Sequence, residues 1–191
     1  MVTGSKRAAS PRRRLLVFLA VVAVVYAAFH FFYRDSAALQ EALALYQAQD
    51  YAGAYAIYEE LAAGGNATAQ FSMGVMHERG EGRERNLEAA RTWYGRSAQA
   101  GNQFAQFNLG RLLMYAPPQE QDVDEGLRLF QAAAESGLDA AQYELGQLYL
   151  SGLWVDYDPV QAQRWLSAAQ GQGHPLAAKA LAQLQAQSQP L

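Results

Sequence analysis

The sequence predicts an all-α fold, a solenoid of helical hairpins preceded by a single transmembrane helix, and three observations lead there. The first is a pattern that recurs at a fixed step. Gly65, Gly101, Gly137 and Gly173 each stand 36 residues apart, and Ala69, Ala105, Ala141 and Ala177 keep the same register. So do Met73, Leu109, Leu145 and Leu181, then Gly74, Gly110, Gly146 and Ala182, and finally Trp93, Leu129 and Trp165. Columns that hold register at such a step mark stacked repeats, in which no single unit can bury its own apolar face. The second observation is local. Within each copy the apolar residues return at steps of three and four, as on one face of a helix. The third is Leu15–Tyr33, a run of nineteen residues without a formal charge.

Taken in order, residues 1–14 carry Lys6, Arg7, Arg12, Arg13 and Arg14 and no acid. Residues 15–33 as a helix would span about 28 Å, close to the roughly 30 Å hydrocarbon core of a bilayer. The basic residues before the run keep the N-terminus in the cytoplasm by the positive-inside rule, so the repeats are expected on the far side, in a bacterial periplasm. Phe29, Phe31, Phe32 and Tyr33 suit an aromatic belt at the outer interface, and His30 sits within it. The alternative is a signal peptide cleaved after export, with small residues at Ser36-Ala37-Ala38 near a suitable place. Either way the body is exported.

Residues 36–64 read as a shorter helical hairpin, its second helix marked by Tyr51, Ala54, Tyr58 and Leu61 and stopped by Gly64-Gly65. Full repeats follow over 65–100, 101–136 and 137–172, then a capping helix over 173–187 and a tail over 188–191. Each full repeat is a first helix, a turn and a second helix. Second helices are expected to start at Asn86, Asp122 and Asp158, with Asp50 in the same column, because these side chains satisfy the free N–H groups of a helix start. Asp122 with Glu125, and Asp158 with Gln161, have the spacing of capping boxes, and Pro159 suits a first helical position. The Gly74, Gly110 and Gly146 column costs about 1 kcal/mol per site in a helix interior, which points to close packing of the paired helix. Ala90, Trp93 and Ser97, with Ala162, Trp165 and Ala169, form the expected inward face of the second helices. The turn of the second repeat contains Ala116 and Pro117-Pro118 in place of glycines, which alters its path.

These residues resemble the Sel-one-like repeat (SLR), the branch of the tetratricopeptide superfamily with a longer helix-to-helix turn. The carriers are alanine at the third first-helix position, Leu/Met-Gly at the seventh and eighth, a glycine-rich turn, then Ala and Trp three apart. The third copy's GLWVDYD follows the family turn except that Trp154 replaces a glycine; the first has Arg83 where valine is expected. The resemblance covers roughly residues 37–184 and implies a right-handed α-α superhelix that serves as a binding scaffold.

Chemistry is sparse. There is no cysteine, and the histidines are His30, His77 and His174. His77 shares a column with Leu113 and Tyr149, which suits packing. His174 follows a repeat-opening glycine in the column of Asn66 and Asn102, which suits capping. Asp122, Asp124 and Glu125 suit the dipole of a helix N-terminus better than a cation. No catalytic, metal or cofactor residues are assigned. After Arg34 the chain has nine Lys/Arg against eighteen Asp/Glu, a body at −9, which argues against nucleic acid.

What remains is a surface. The resemblance implies that first-helix positions two, five, nine and twelve line a concave groove. Those are Thr68, Phe71, Val75 and Glu78; Phe104, Phe107, Arg111 and Met114; Ala140, Tyr143, Gln147 and Leu150; and, on the capping helix, Leu176 and Lys179. The aromatic and aliphatic members suit an extended peptide or a partner helix; the competing arrangement buries those rings between neighbouring first helices. Trp154 is a second candidate contact. The expected function is a membrane-anchored, non-catalytic adaptor that holds a protein partner in an envelope complex. The alternatives are a self-assembling homo-oligomer and, last, a cell-wall hydrolase.

Overall fold

The computed structural model describes residues 22, 35–115 and 120–187, and every regular element among them is an α-helix. In chain order these are α1 (35–47), α2 (Tyr51–Ala63), α3 (Ala67–Arg79), α4 (Leu87–Gln99) and α5 (Gln103–Tyr115). They continue with α6 (Glu120–Glu135), α7 (Asp139–Ser151), α8 (Pro159–Gly171) and α9 (Ala177–Gln187). The basic stretch 1–14, the run 15–33 apart from Val22, Pro117-Pro118 and the tail 188–191 lie outside the described residues. Among the described residues no helix is long and apolar enough to cross a membrane.

From α2 to α9 each helix packs chiefly on its neighbours in the chain, and α3 also touches α5, so the body is a row of hairpins without a single closed centre. The core divides accordingly into a series of clusters along the row. Gly65, Gly101, Gly137 and Gly173 turn the chain from one unit into the next with φ of 90°, 84°, 92° and 86°. A side chain is disfavoured in that left-handed region, which explains why the repeat opens on glycine.

Inside a hairpin the helices meet across the second glycine column. A methyl group on Gly74 would strike the Tyr94 ring, and one on Gly146 would lie 2.6 Å from Leu166. One on Gly110 would lie 3.0 Å from both the Gly126 carbonyl oxygen and Phe130. The partners Tyr94, Phe130 and Leu166 are themselves 36 apart, with Tyr58 one step earlier, and all are buried. This column, one residue beyond the expected Trp93, Leu129 and Trp165, is the inward face of the second helices. Trp93 and Trp165 are only partly buried and pack against clusters shared between their own unit and the preceding one.

A third periodic device ties unit to unit. The side-chain amides of Gln70, Gln106 and Gln142 donate to the carbonyl oxygens of Ala62, Ala98 and Ala134 at 3.2, 3.4 and 3.1 Å. Those carbonyls lie in the last turn of the previous helix, where intrahelical donors have run out. Asp50, Asn86 and Asp158 cap α2, α4 and α8 as expected. Asp122 does not cap α6, because that helix starts two residues earlier, at Glu120. Its carboxylate accepts instead from Arg91 of α4 at 2.8 Å, while Glu125 pairs with Arg128.

Candidate functional site: the face of the first helices

α1, α3, α5, α7 and α9 line one side of the row, and the expected groove residues fall on them unequally. Phe104 is half-exposed at 49% and lies 6.0 Å from the Phe71 ring, centroid to centroid. Phe71 is partly buried and also rests on Tyr94 at 5.9 Å; Phe107 is partly buried against Phe130 at 5.4 Å. Tyr143 and Leu150 flank the cluster of Leu166, Ala180 and Leu181, and Val75 flanks that of Tyr94 and Leu113. Gln147 is partly buried, and its Oε1 has no hydrogen-bond partner.

Met114 departs from the expectation. It is 1% exposed and belongs to the core. Its side chain turns under α6 to Gly126, where a β-carbon would collide with it. Gly126 occupies the column of Ala90 and Ala162, so the second repeat alone has the space that admits a methionine.

Arg111 is not a free groove cation. Its guanidinium donates to the carboxylate of Glu78, across from α5 to α3. The other oxygen of Glu78 accepts from the Tyr94 hydroxyl at 2.8 Å. Burial, then the bond to Glu78, raises the Tyr94 phenol well above its ordinary pKa. Further along, the Tyr115 hydroxyl donates to Glu144 of α7 at 2.9 Å; burial and that carboxylate raise its pKa likewise.

Between α1 and α3 the face is open. A cavity of about 190 Å³ is lined by Leu43 and Tyr46 of α1, Tyr58 of α2, and Phe71, Ser72 and Val75 of α3. Tyr58 is its buried floor. The Tyr46 hydroxyl donates to Glu81 at 2.6 Å and accepts from Arg79 at 3.1 Å. Apart from Phe71 and Val75, these lining residues went unrecognised in the sequence. The signal lay in two columns: Ser72 stands where later repeats have Asn108 and Glu144, and Val75 where they have Arg111 and Gln147. Both are the shortest members, which leaves the space.

Among the described residues, His77 and His174 are packed. His77 Nε2 is 3.2 Å from the Tyr55 hydroxyl, and Arg83 lies over the Tyr55 ring at 4.7 Å. Burial, then Arg83, lowers the His77 pKa. His174 does not cap with its side chain: the ring stacks on Tyr143 at 4.4 Å and 19°, while its carbonyl accepts from Ala177. Among the described residues no three histidine or acidic side chains gather as a metal site. At the turn between α7 and α8, Trp154 is 37% exposed beside the more open Leu153 (71%), Tyr157 and Val160 (75%).

Known proteins show the same architecture. A family model for the Sel1 repeat matches residues 67–102, 103–138 and 139–174. The crystal structure of a protective antigen present in uropathogenic Escherichia coli strains, displaying an SLR fold, superposes with a TM-score of 0.72 at 31% identity. That match covers 78% of this chain and 33% of the antigen. A Sel1 repeat protein from Oxalobacter formigenes superposes with a TM-score of 0.70 at 27% identity, covering 75% of this chain and 59% of that one. The chain therefore spans less than two thirds of either protein. No curated protein matches it.

Proposed function

We propose, since the chain belongs to the Sel1 repeat family, that it is a non-catalytic scaffold that grips a partner polypeptide along its first helices. Sel1 repeats generally mediate protein–protein interactions, and their proteins are generally non-catalytic. The observation that carries the proposal is the strip of half-exposed Phe104 and Leu43 with partly buried Phe71 and Val75 beside the cavity, an apolar surface on the face of the first helices. Trp154 and Leu153 supply a second contact for the same partner. Leu15–Tyr33 anchors the chain in a bacterial inner membrane with its N-terminus in the cytoplasm and its repeats in the periplasm; the charge-free run and the basic residues before it support that placement. Tethering raises the effective concentration of the solenoid toward partners at the same membrane.

Phe104→Ala is the clean test, because half of that ring faces solvent. Cross-linking in intact membranes is expected to lose the partner adduct while helical content stays at the wild-type level. An adduct of unchanged yield would refute groove binding.

A further inference from the structure

We propose that the cavity between α1 and α3 receives one bulky apolar side chain of the partner, from a segment where lysine or arginine flanks that residue. This rests on the groove reading and names the chemistry of its ligand.

Size comes first. Small-molecule pockets run about 300–1,000 Å³, whereas an apolar cavity of about 150 Å³ takes one benzene ring. At about 190 Å³ the space suits a single large side chain. The lining is mostly apolar, the Tyr46 hydroxyl is held by Glu81 and Arg79, and no lining residue has a buried polar atom left without a partner. No polar group in the wall asks for a polar ligand, so an apolar one loses nothing by entering.

Charge selects what surrounds that side chain. From Asp35 to Glu60 the chain has Asp35, Glu41, Asp50, Glu59 and Glu60 and no lysine or arginine, while Glu78 is paired with Arg111. The nearby cations are engaged: Arg79 with Glu81 and Tyr46, Arg83 over the Tyr55 ring, Arg111 with Glu78. The field over the first hairpin is therefore negative, which draws in cationic segments and repels acidic ones.

The test uses the full chain in detergent micelles and a short fluorescent peptide with one central phenylalanine between pairs of lysines. Two controls replace the phenylalanine by alanine or the lysines by glutamates. Anisotropy is expected to show binding at least tenfold tighter than either control and weakened by salt. Val75→Arg, which puts into α3 the residue type found at 111, is expected to lower the affinity more than tenfold. Leu43→Lys, at a position 48% exposed where folding is not at risk, is expected to do the same. Equal affinity for the glutamate control overturns the charge assignment. Unchanged affinity in Leu43→Lys overturns the cavity. If Phe104→Ala still releases the partner while these peptide results fail, the groove stands and this ligand class falls. If Phe104→Ala has no effect while the peptide binds as described, the cavity stands without the groove.

Discussion

Two seams of one face, with floors that stand one 36-residue step apart, end up in opposite states. Between α3 and α5 the surface is bridged: Arg111 reaches Glu78, and Phe104 leans on Phe71. Between α1 and α3, Val75 stands in the column of Arg111 and Ser72 in that of Asn108, and a cavity remains beside Leu43. The two floors, Tyr94 and Tyr58, are equivalent and buried. The backbone therefore sets the spacing of the first helices, and side-chain length at two positions decides whether the gap is filled. A repeat protein can thus keep its scaffold constant and place a binding site at one unit by shortening residues there.

The largest effect that distinguishes floor from rim comes from truncating each. Phe130, fully buried in the second repeat, should lose about 3–5 kcal/mol of stability as Phe130→Ala, through lost burial and the cavity left behind. Leu43→Lys at the rim of the open seam should stay within about 0.5 kcal/mol, as exposed positions do. Urea denaturation followed by circular dichroism measures both. Similar losses at the two sites would show that the rim of the open seam is core after all.

A smaller effect comes from unlocking the bridged seam. Arg111→Met removes the guanidinium that reaches Glu78. Its side chain is 40% exposed, so solvent screening holds the cost to about 0.5–1 kcal/mol. Glu78 keeps its bond from Tyr94, so the carboxylate is not left without a donor. The expected gain is a second cavity beside the freed carboxylate, read as a rise from one to two bound lysine–phenylalanine peptides per chain in titration calorimetry. A stoichiometry that stays at one would mean that side-chain length at the column of Val75 and Arg111 does not by itself open a seam.

The fold was legible because the repeat writes each packing rule several times. Glycine columns, caps and unit boundaries could be checked against their own copies. The site was legible only in part, because binding surfaces arise where one copy differs from the others. The positional rule borrowed from tetratricopeptides put Met114 on the groove; Gly126, a lone glycine in an alanine column, was the sign that it would turn inward. Arg111 and Glu78 were both placed on the groove but not paired, because they lie 33 residues apart on helices that only stacking brings near. Gln70, Gln106 and Gln142 were as periodic as the glycines but polar, and a search for apolar columns passed over them.

The smallest effect concerns His77, which sits at the base of α3 behind the open seam and has no counterpart among Leu113 and Tyr149 in the later repeats. Its Nδ1 is shielded and without a hydrogen-bond partner, and Nε2 faces the Tyr55 hydroxyl. Burial and the nearby Arg83 lower its pKa below the ordinary 6.5, against a weaker opposite pull from Glu59. The unfolded chain therefore binds a proton at a higher pH than the folded one. Stability from this group is complete above about pH 6.5, declines as pH falls below that value, and levels off below the folded pKa. The ring is only partly buried, so this change is expected to be the smallest of the three. His77→Leu, which copies the residue at 113, should lose this component while keeping the carboxylate titrations that both proteins share at lower pH. Melting temperatures between pH 7.5 and pH 5 should then converge, with wild type falling more steeply. Parallel curves would show that His77 is solvated as in the unfolded chain, and that the first repeat is no more sensitive to acid than the others.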